Sequence, residues 1–372
     1  MDSYQKQRGR VIRKQRMKDF CMILLFLFLL PYTFSLLFVK DRSITNIDNG
    51  IKKEAYDVSV ILNKTFGTEE IPLEEYLIGS CASTIQGEAE METIKAQSVI
   101  LRSVCFSTLT EKDGTLKPAV TYKINQEKTG LKYLNVAQRQ QLWKENNQEY
   151  EDKFSDAVAQ TEGIVILYED KIVSPPYFRL SNGKTRTNNK MLYLKQAICK
   201  NDQADSEFLH KKTVSDRSFW QGIETLTKQE QKGQTNQEQG QTNQEQMDQE
   251  QTEQGQTGQE QKADQKEKEE IQKEKEEISL KLDSAGYVEQ VVLSGTAVSG
   301  EAFRDYFELP SLSYEISQTD NQIILLSKGI GHGFGFSQSQ ADALAKKGED
   351  YLSLLQFFSR KLIFKKLYKV ES

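Results

Sequence analysis

Histidine is nearly missing from this 372-residue chain, which has two, and cysteine is scarce at four. Cys21 lies within an apolar run, which leaves Cys81, Cys105 and Cys199 as an odd set whose spacing matches no zinc pattern. These numbers argue against a disulfide framework and against a metal centre. The cysteines read as small buried residues, and no cofactor is expected. The body of the chain also lacks a basic patch with interleaved aromatics. With a net charge of −5, that argues against general nucleic-acid binding.

Long apolar runs are equally rare. One stands out, Phe20 to Val39, without a charge, directly after a basic stretch holding Lys6, Arg8, Arg10, Arg13, Lys14, Arg16 and Lys18. A run of about 20 residues is what a helix needs to cross a bilayer. The basic side stays in the cytoplasm, so the remainder faces outward. A cleaved signal peptide is the competing reading, but the run ends "FVKDRS", with no small-residue cleavage site. The expectation is a single-pass membrane protein: cytoplasmic tail 1–19, anchor 20–39 and spacer 40–55, then an exterior α+β domain.

Within that domain "YDVSVILNKTFGTEEIPL" predicts a strand and turn leading into a helix, and the stretch 90–109 predicts an amphipathic helix. A further helix is expected over "YEDKFSDAVAQTEG", followed by a hairpin turning at Glu169-Asp170. From 228 to 278 the composition changes. "GQTNQEQ" at Gly233 is repeated at Gly240 and degenerates from Gly255, with no apolar seam for a coiled coil. Having almost nothing apolar to bury, this segment is expected to be a disordered insertion. It separates the two parts of the domain, 56–227 and 279–367. The second part predicts two short strands, a helix near Gly300, a strand, a glycine loop, and two helices broken at Gly348.

The glycine loop reads "GIGHGFGFSQ", Gly329 to Gln338. Its glycines permit unusual backbone angles and close approach. His332, Ser337 and Gln338 offer uncharged polar groups that suit a sugar, or else the loop is a plain turn capped by Ser337.

Taken with four other segments, the loop resembles the stage II sporulation protein D / amidase-enhancer LytB family. "IPLEEYLIG", "METIKAQSVILRSV", "YFRLSNGKT", "YLKQAICKND" and the glycine loop occur in that family's order. The resemblance implies a lytic transglycosylase-like protein acting on peptidoglycan glycan strands, beside a membrane-bound amidase in sporulation. It carries a binding set over to Lys95, Gln97, Arg102, Ser181, Gly183, Thr185, His332, Ser337 and Gln338. The family's general acid is a glutamate that protonates the glycosidic oxygen. Counted back from Lys95, that position is Thr84, inside "CASTIQGEAEMETIK". A threonine hydroxyl is no acid near neutral pH. Glu88, four residues on, would lie one turn along the same face if the helix continued, and is the weak candidate for a relocated acid. Arg102 is placed to pair with one of Glu88, Glu90 or Glu92. Three readings are open: a member that binds glycan or an amidase with little cleavage, an active transglycosylase with a relocated acid, or a scaffold for an amidase.

Overall fold

In the computed structural model the described residues are 45–46, 57–63, 67–116, 119, 121–242, 278–293, 296–319 and 322–368; side chains are described for these except 45–46 and 231–242. The chain divides into two units, 1–45 and 46–372, and the second holds the folded domain. The expected anchor lies outside the described residues. Among those described, no helix is long and apolar enough to cross a membrane.

The domain is mixed α and β, and its described residues include two large hydrophobic cores and a small cluster of Ala285, Tyr287 and Leu312. In the first, β1 (Asp57–Asn63) pairs antiparallel with β2 (Thr68–Pro72) and parallel with β3 (Thr121–Asn125). Val58, Val60 and Leu62 of β1 point into the core, as their alternation requires. Helix α1 (Leu73–Thr84) starts directly after Pro72, with Glu74 and Glu75 in its first turn, where carboxylates favour the helix dipole. Gly79 lets the helix approach the next segment closely: a Cβ there would meet the Leu134 carbonyl at 2.3 Å.

Helix α2 (Met91–Ser107) is buried on nearly every face, which makes it the axle of the first core. Helix α3 (Asn147–Gln160) and strand β4 (Ile164–Tyr168) pack around it. The hairpin from β4 turns at Glu169 and Asp170, both at positive φ (51° and 61°), the pair of angles that a two-residue hairpin turn demands.

The second core gathers Phe219, Ile223 and Leu226 with Val288, Val291, Phe303, Phe307, Ile323 and Leu325. It includes two three-stranded antiparallel sheets, ordered Thr296–Ser299, Val288–Leu293, Ile278–Leu282 and Tyr314–Gln318, Gln322–Lys328, Leu209–Ser215.

One boundary differs from the sequence reading. A helix that the sequence reading did not predict runs from Asp216 to Thr242, past Lys228 where the insertion was expected to begin. Phe219, Ile223 and Leu226 anchor its front on the second core. Once nucleated, a helix propagates cheaply through Gln, Glu and Lys, which have good helix propensity. The rest of the expected insertion, 243–277, lies outside the described residues.

Candidate functional site

The glycine loop is not a free turn. It laces onto the segment 176–186: Phe336–Ser337 pairs parallel with Tyr177–Phe178, and bridges join Leu180 to Ile330 and Arg186 to Phe334. Gly335 (φ 79°) shows why a side chain is excluded, because a Cβ would lie 2.1 Å from the Pro176 carbonyl. At Gly333 a Cβ would strike the Tyr287 ring at 2.3 Å. The glycines therefore serve close backbone approach to the neighbouring strand end and ring.

Around this lacing the expected residues sort into groups. Gln338, at the start of a helix running to Ala345, donates Nε2 to the Thr84 carbonyl (2.8 Å) and to Gln97 Oε1 (3.2 Å). The polarity is forced, because a carbonyl only accepts and so turns the Gln338 amide nitrogen toward itself. Gln97 is then left with a buried Nε2 that has no protein partner. Thr84 spends its own hydroxyl on the Ser80 and Cys81 carbonyls, 3.1 Å each. These three residues form a neutral polar seam between the end of α1, the body of α2 and the start of the glycine-loop helix.

Beside it, Asp202 is fully buried and joins two more expected positions. Its Oδ2 accepts from the Ser181 N–H (2.9 Å) and the Ser337 hydroxyl (2.8 Å), while Oδ1 has no partner. Burial pushes this carboxyl up, and the hydrogen bonds from Ser181, Ser337 and Ser339 work against that. Asp202 ends the segment "YLKQAICKND", which was its only signal in the sequence. Gly183 and Thr185 lie in the same hairpin end, bonded to backbone: the Gly183 carbonyl accepts from Cys199 N (2.8 Å), and Thr185 Oγ1 donates to Lys195 O (3.1 Å). Cys199 beside them is buried, with its thiol pushed up to about 12, so it is not a poised nucleophile.

Two expected members lie elsewhere. Arg102 pairs with none of Glu88, Glu90 or Glu92; it is fully buried and grips Glu74 through Nε (3.0 Å) and Nη2 (2.5 Å). Lys95 pairs with Glu92 (2.5 Å), whose other oxygen accepts from Tyr351 N (2.9 Å), tying α2 to the last helix. Glu88 is also displaced from its expected face. Helix α1 ends at Thr84, Ile85 is extended, and Glu88 sits exposed on the turn that comes next.

His332 is half-buried, its ring packed 5.5 Å from Phe178 and 6.0 Å from Phe334. Its Nδ1 accepts from the Phe334 N–H at 3.0 Å. Burial first, then the Arg304 and Arg186 guanidinium groups, push the imidazole down to about 4, against a hydrogen bond to the Tyr177 backbone. The folded state thus resists a proton that the unfolded chain accepts near its ordinary value of about 6.5. The stability this confers is complete above about pH 6.5 and declines as pH falls toward 4, by on the order of 3 kcal/mol. Asp202 works in the opposite sense, since a raised carboxyl relieves the fold of a buried charge on acidification. Comparing urea midpoints from pH 7 to pH 4 for the native chain and His332→Asn should isolate the His332 part; an unchanged slope in the variant would refute it.

What the fold and the seam define is an α+β protein in which a polar contact joins helices α1 and α2 to a glycine-rich loop some 250 residues downstream. The comparisons with known proteins show what this class is similar to. The model of a stage II sporulation protein matches residues 63–168. Stage II sporulation protein D of Bacillus amyloliquefaciens is 23% identical over 316 residues, 83% of this chain and 78% of that protein. The protein of the same name from Bacillus subtilis is 21% identical over 325 residues, with the same coverage. An uncharacterised protein of Brachyspira hyodysenteriae is 32% identical over a 77-residue stretch. Residues 63–168 thus match a stage II sporulation protein domain, and the similarity to stage II sporulation protein D extends over 83% of the chain.

Proposed function

We propose that this chain is a membrane-anchored protein of sporulation and cell-wall remodelling that holds peptidoglycan glycan strands, with little or no cleavage. Its N-terminus lies in the cytoplasm and its domain on the exterior side, where a cell-wall amidase is the second candidate partner. The observation that carries the reading is the neutrality of the seam. Where the resemblance calls for a general acid, Thr84 uses its hydroxyl on its own helix, and the groups around it are the amides of Gln97 and Gln338. Amides and hydroxyls bind sugar hydroxyl and acetamido groups, but they do not protonate a glycosidic oxygen.

The relocated-acid reading keeps one support, and it is not Glu88, which lies beyond the helix end. Asp202 accepts from the Ser337 hydroxyl, one residue before Gln338, and burial holds it toward the protonated form.

The purified full chain is expected to retain peptide-free glycan strands in a sedimentation assay. Gln338→Ala should weaken this about tenfold, the equivalent of one or two lost hydrogen bonds. A native chain that ignores glycan but retains an amidase would replace this reading with the scaffold.

A further inference from the structure

One charged residue, immediately after "YFRLSNGKT", belongs to neither the expected binding set nor the seam. Arg186 is 7% exposed, and its guanidinium lies 4.3 Å from the Phe334 ring centroid and 5.3 Å from that of Tyr287. Nε donates to Asp283 (2.6 Å) and Nη1 to the His332 carbonyl (3.3 Å), while the Arg186 N–H donates to the Gly333 carbonyl (2.8 Å). Asp283 is itself fixed, its other oxygen accepting from Ala285 N and Tyr287 N at 2.9 Å each. The Tyr287 hydroxyl closes the ring of contacts by donating to the Lys184 carbonyl (3.1 Å).

From this geometry we infer that Arg186, gripped by the turn Asp283–Tyr287, is the positioning residue that holds His332 and the glycine loop in the arrangement that receives the ligand. The inference rests on the glycan-binding reading of the same site. Arg186 reaches His332 from both sides of the loop backbone: it takes the His332 carbonyl directly, and it covers Phe334, whose N–H fixes the imidazole through Nδ1. A planar fork is needed. Nε and Nη1 serve two different acceptors while the flat face lies on a ring, and a lysine ammonium does not reproduce that. The turn follows immediately after strand Ile278–Leu282, whose Ile278 and Leu280 pack on the second core. That core therefore helps to shape the loop whose far end reaches Thr84.

The charged groups bearing on His332 are Arg304, paired with Asp305, and Arg186, paired with Asp283. Removing Arg186 takes away one cation and loosens Phe334, whose N–H occupies His332 Nδ1, and both effects favour protonation of His332. With only two histidines in the chain, selectively labelled imidazole nitrogens can be followed separately, His210 serving as the internal control. In Arg186→Met the proton affinity of His332 should rise about tenfold or more, its fixed Nδ1-acceptor signature should give way to averaged tautomers, and glycan retention should fall about tenfold. Arg186→Lys should keep part of the charge effect but lose the fixed tautomer. Movement of the His332 signals in a chain that never binds glycan would keep the positioning role and discard the binding reading. Unchanged His332 titration and tautomer in folded Arg186→Met would overturn the inference. If that variant does not fold, Arg186→Lys and Asp283→Asn decide it, and silence of the His332 signals in both is the overturning result.

Discussion

Thr84→Glu is expected to give the chain glycan-cleaving activity, raising the release of anhydromuramic ends from peptide-free strands by ~10²–10⁴-fold, the usual worth of a general acid. The site favours such a substitution. Residue 84 closes helix α1, and its carbonyl is already held by Gln338. A carboxylate in the last turn of a helix faces the negative end of the dipole. That raises its proton affinity, and a carboxyl that stays protonated near neutrality is what protonating a glycosidic oxygen requires. The penalty in stability is small, about 0.3–1 kcal/mol. Silence in the native chain with cleavage in the variant means that the seam is intact and only the acid is missing. Cleavage by the native chain would sink the neutral-seam reading and make Asp202→Asn the next test. If neither cleaves, the binding surface has decayed and the scaffold gains.

Much of the fold was legible because its signals are local. The β1 alternation, the Glu169-Asp170 turn and the break at Gly348 each lie within a few residues of the element they define. The end of α1 has a local signal too, in a glycine. Gly87 stands three residues after Thr84 and packs so tightly under Tyr150 that a Cβ would lie 2.4 Å from its ring. A glycine just past a periodic segment marks a helix end, and that mark removes Glu88 from the helical face. The site was legible only as a set of motifs. That Gln338 meets Thr84 across 254 positions, or that Asp202 joins Ser181 to Ser337, depends on tertiary packing that no spacing encodes. Arg186 and Asp283 carry no motif and lie on opposite sides of the low-complexity stretch. For the same reason Arg102 was placed in the binding set. Its motif was visible, but its partner Glu74 belongs to a different motif, 28 residues upstream.

That buried arginine makes the largest stability prediction. Arg102→Ala is expected to cost about 3–5 kcal/mol, the range for breaking a buried ion pair from one side. Arg102 is fully buried, and besides both Glu74 oxygens its Nη1 reaches the Ile164 carbonyl (3.2 Å) and its Nη2 the Val158 carbonyl (3.4 Å). Tyr368 adds a hydrogen bond from its hydroxyl to Glu74. One side chain thus ties α1, α2, the end of α3 and the start of β4 together, and through Glu74 to Tyr368. Truncation leaves the Glu74 carboxylate, only 19% exposed, without its cation and deprives two carbonyls of a donor. Replacing both partners, in Arg102→Met with Glu74→Met, should cost less than Arg102→Ala alone, because no unpaired charge remains. Urea unfolding of the single and double variants measures this directly, and a loss below about 1 kcal/mol in Arg102→Ala would refute the keystone role. Arg102→Lys separates structure from binding: it keeps the charge while losing the fork. If that variant, below its unfolding transition, retains glycan like the native chain, Arg102 acts on the fold alone; a selective loss of retention at unchanged stability would return it to the binding set.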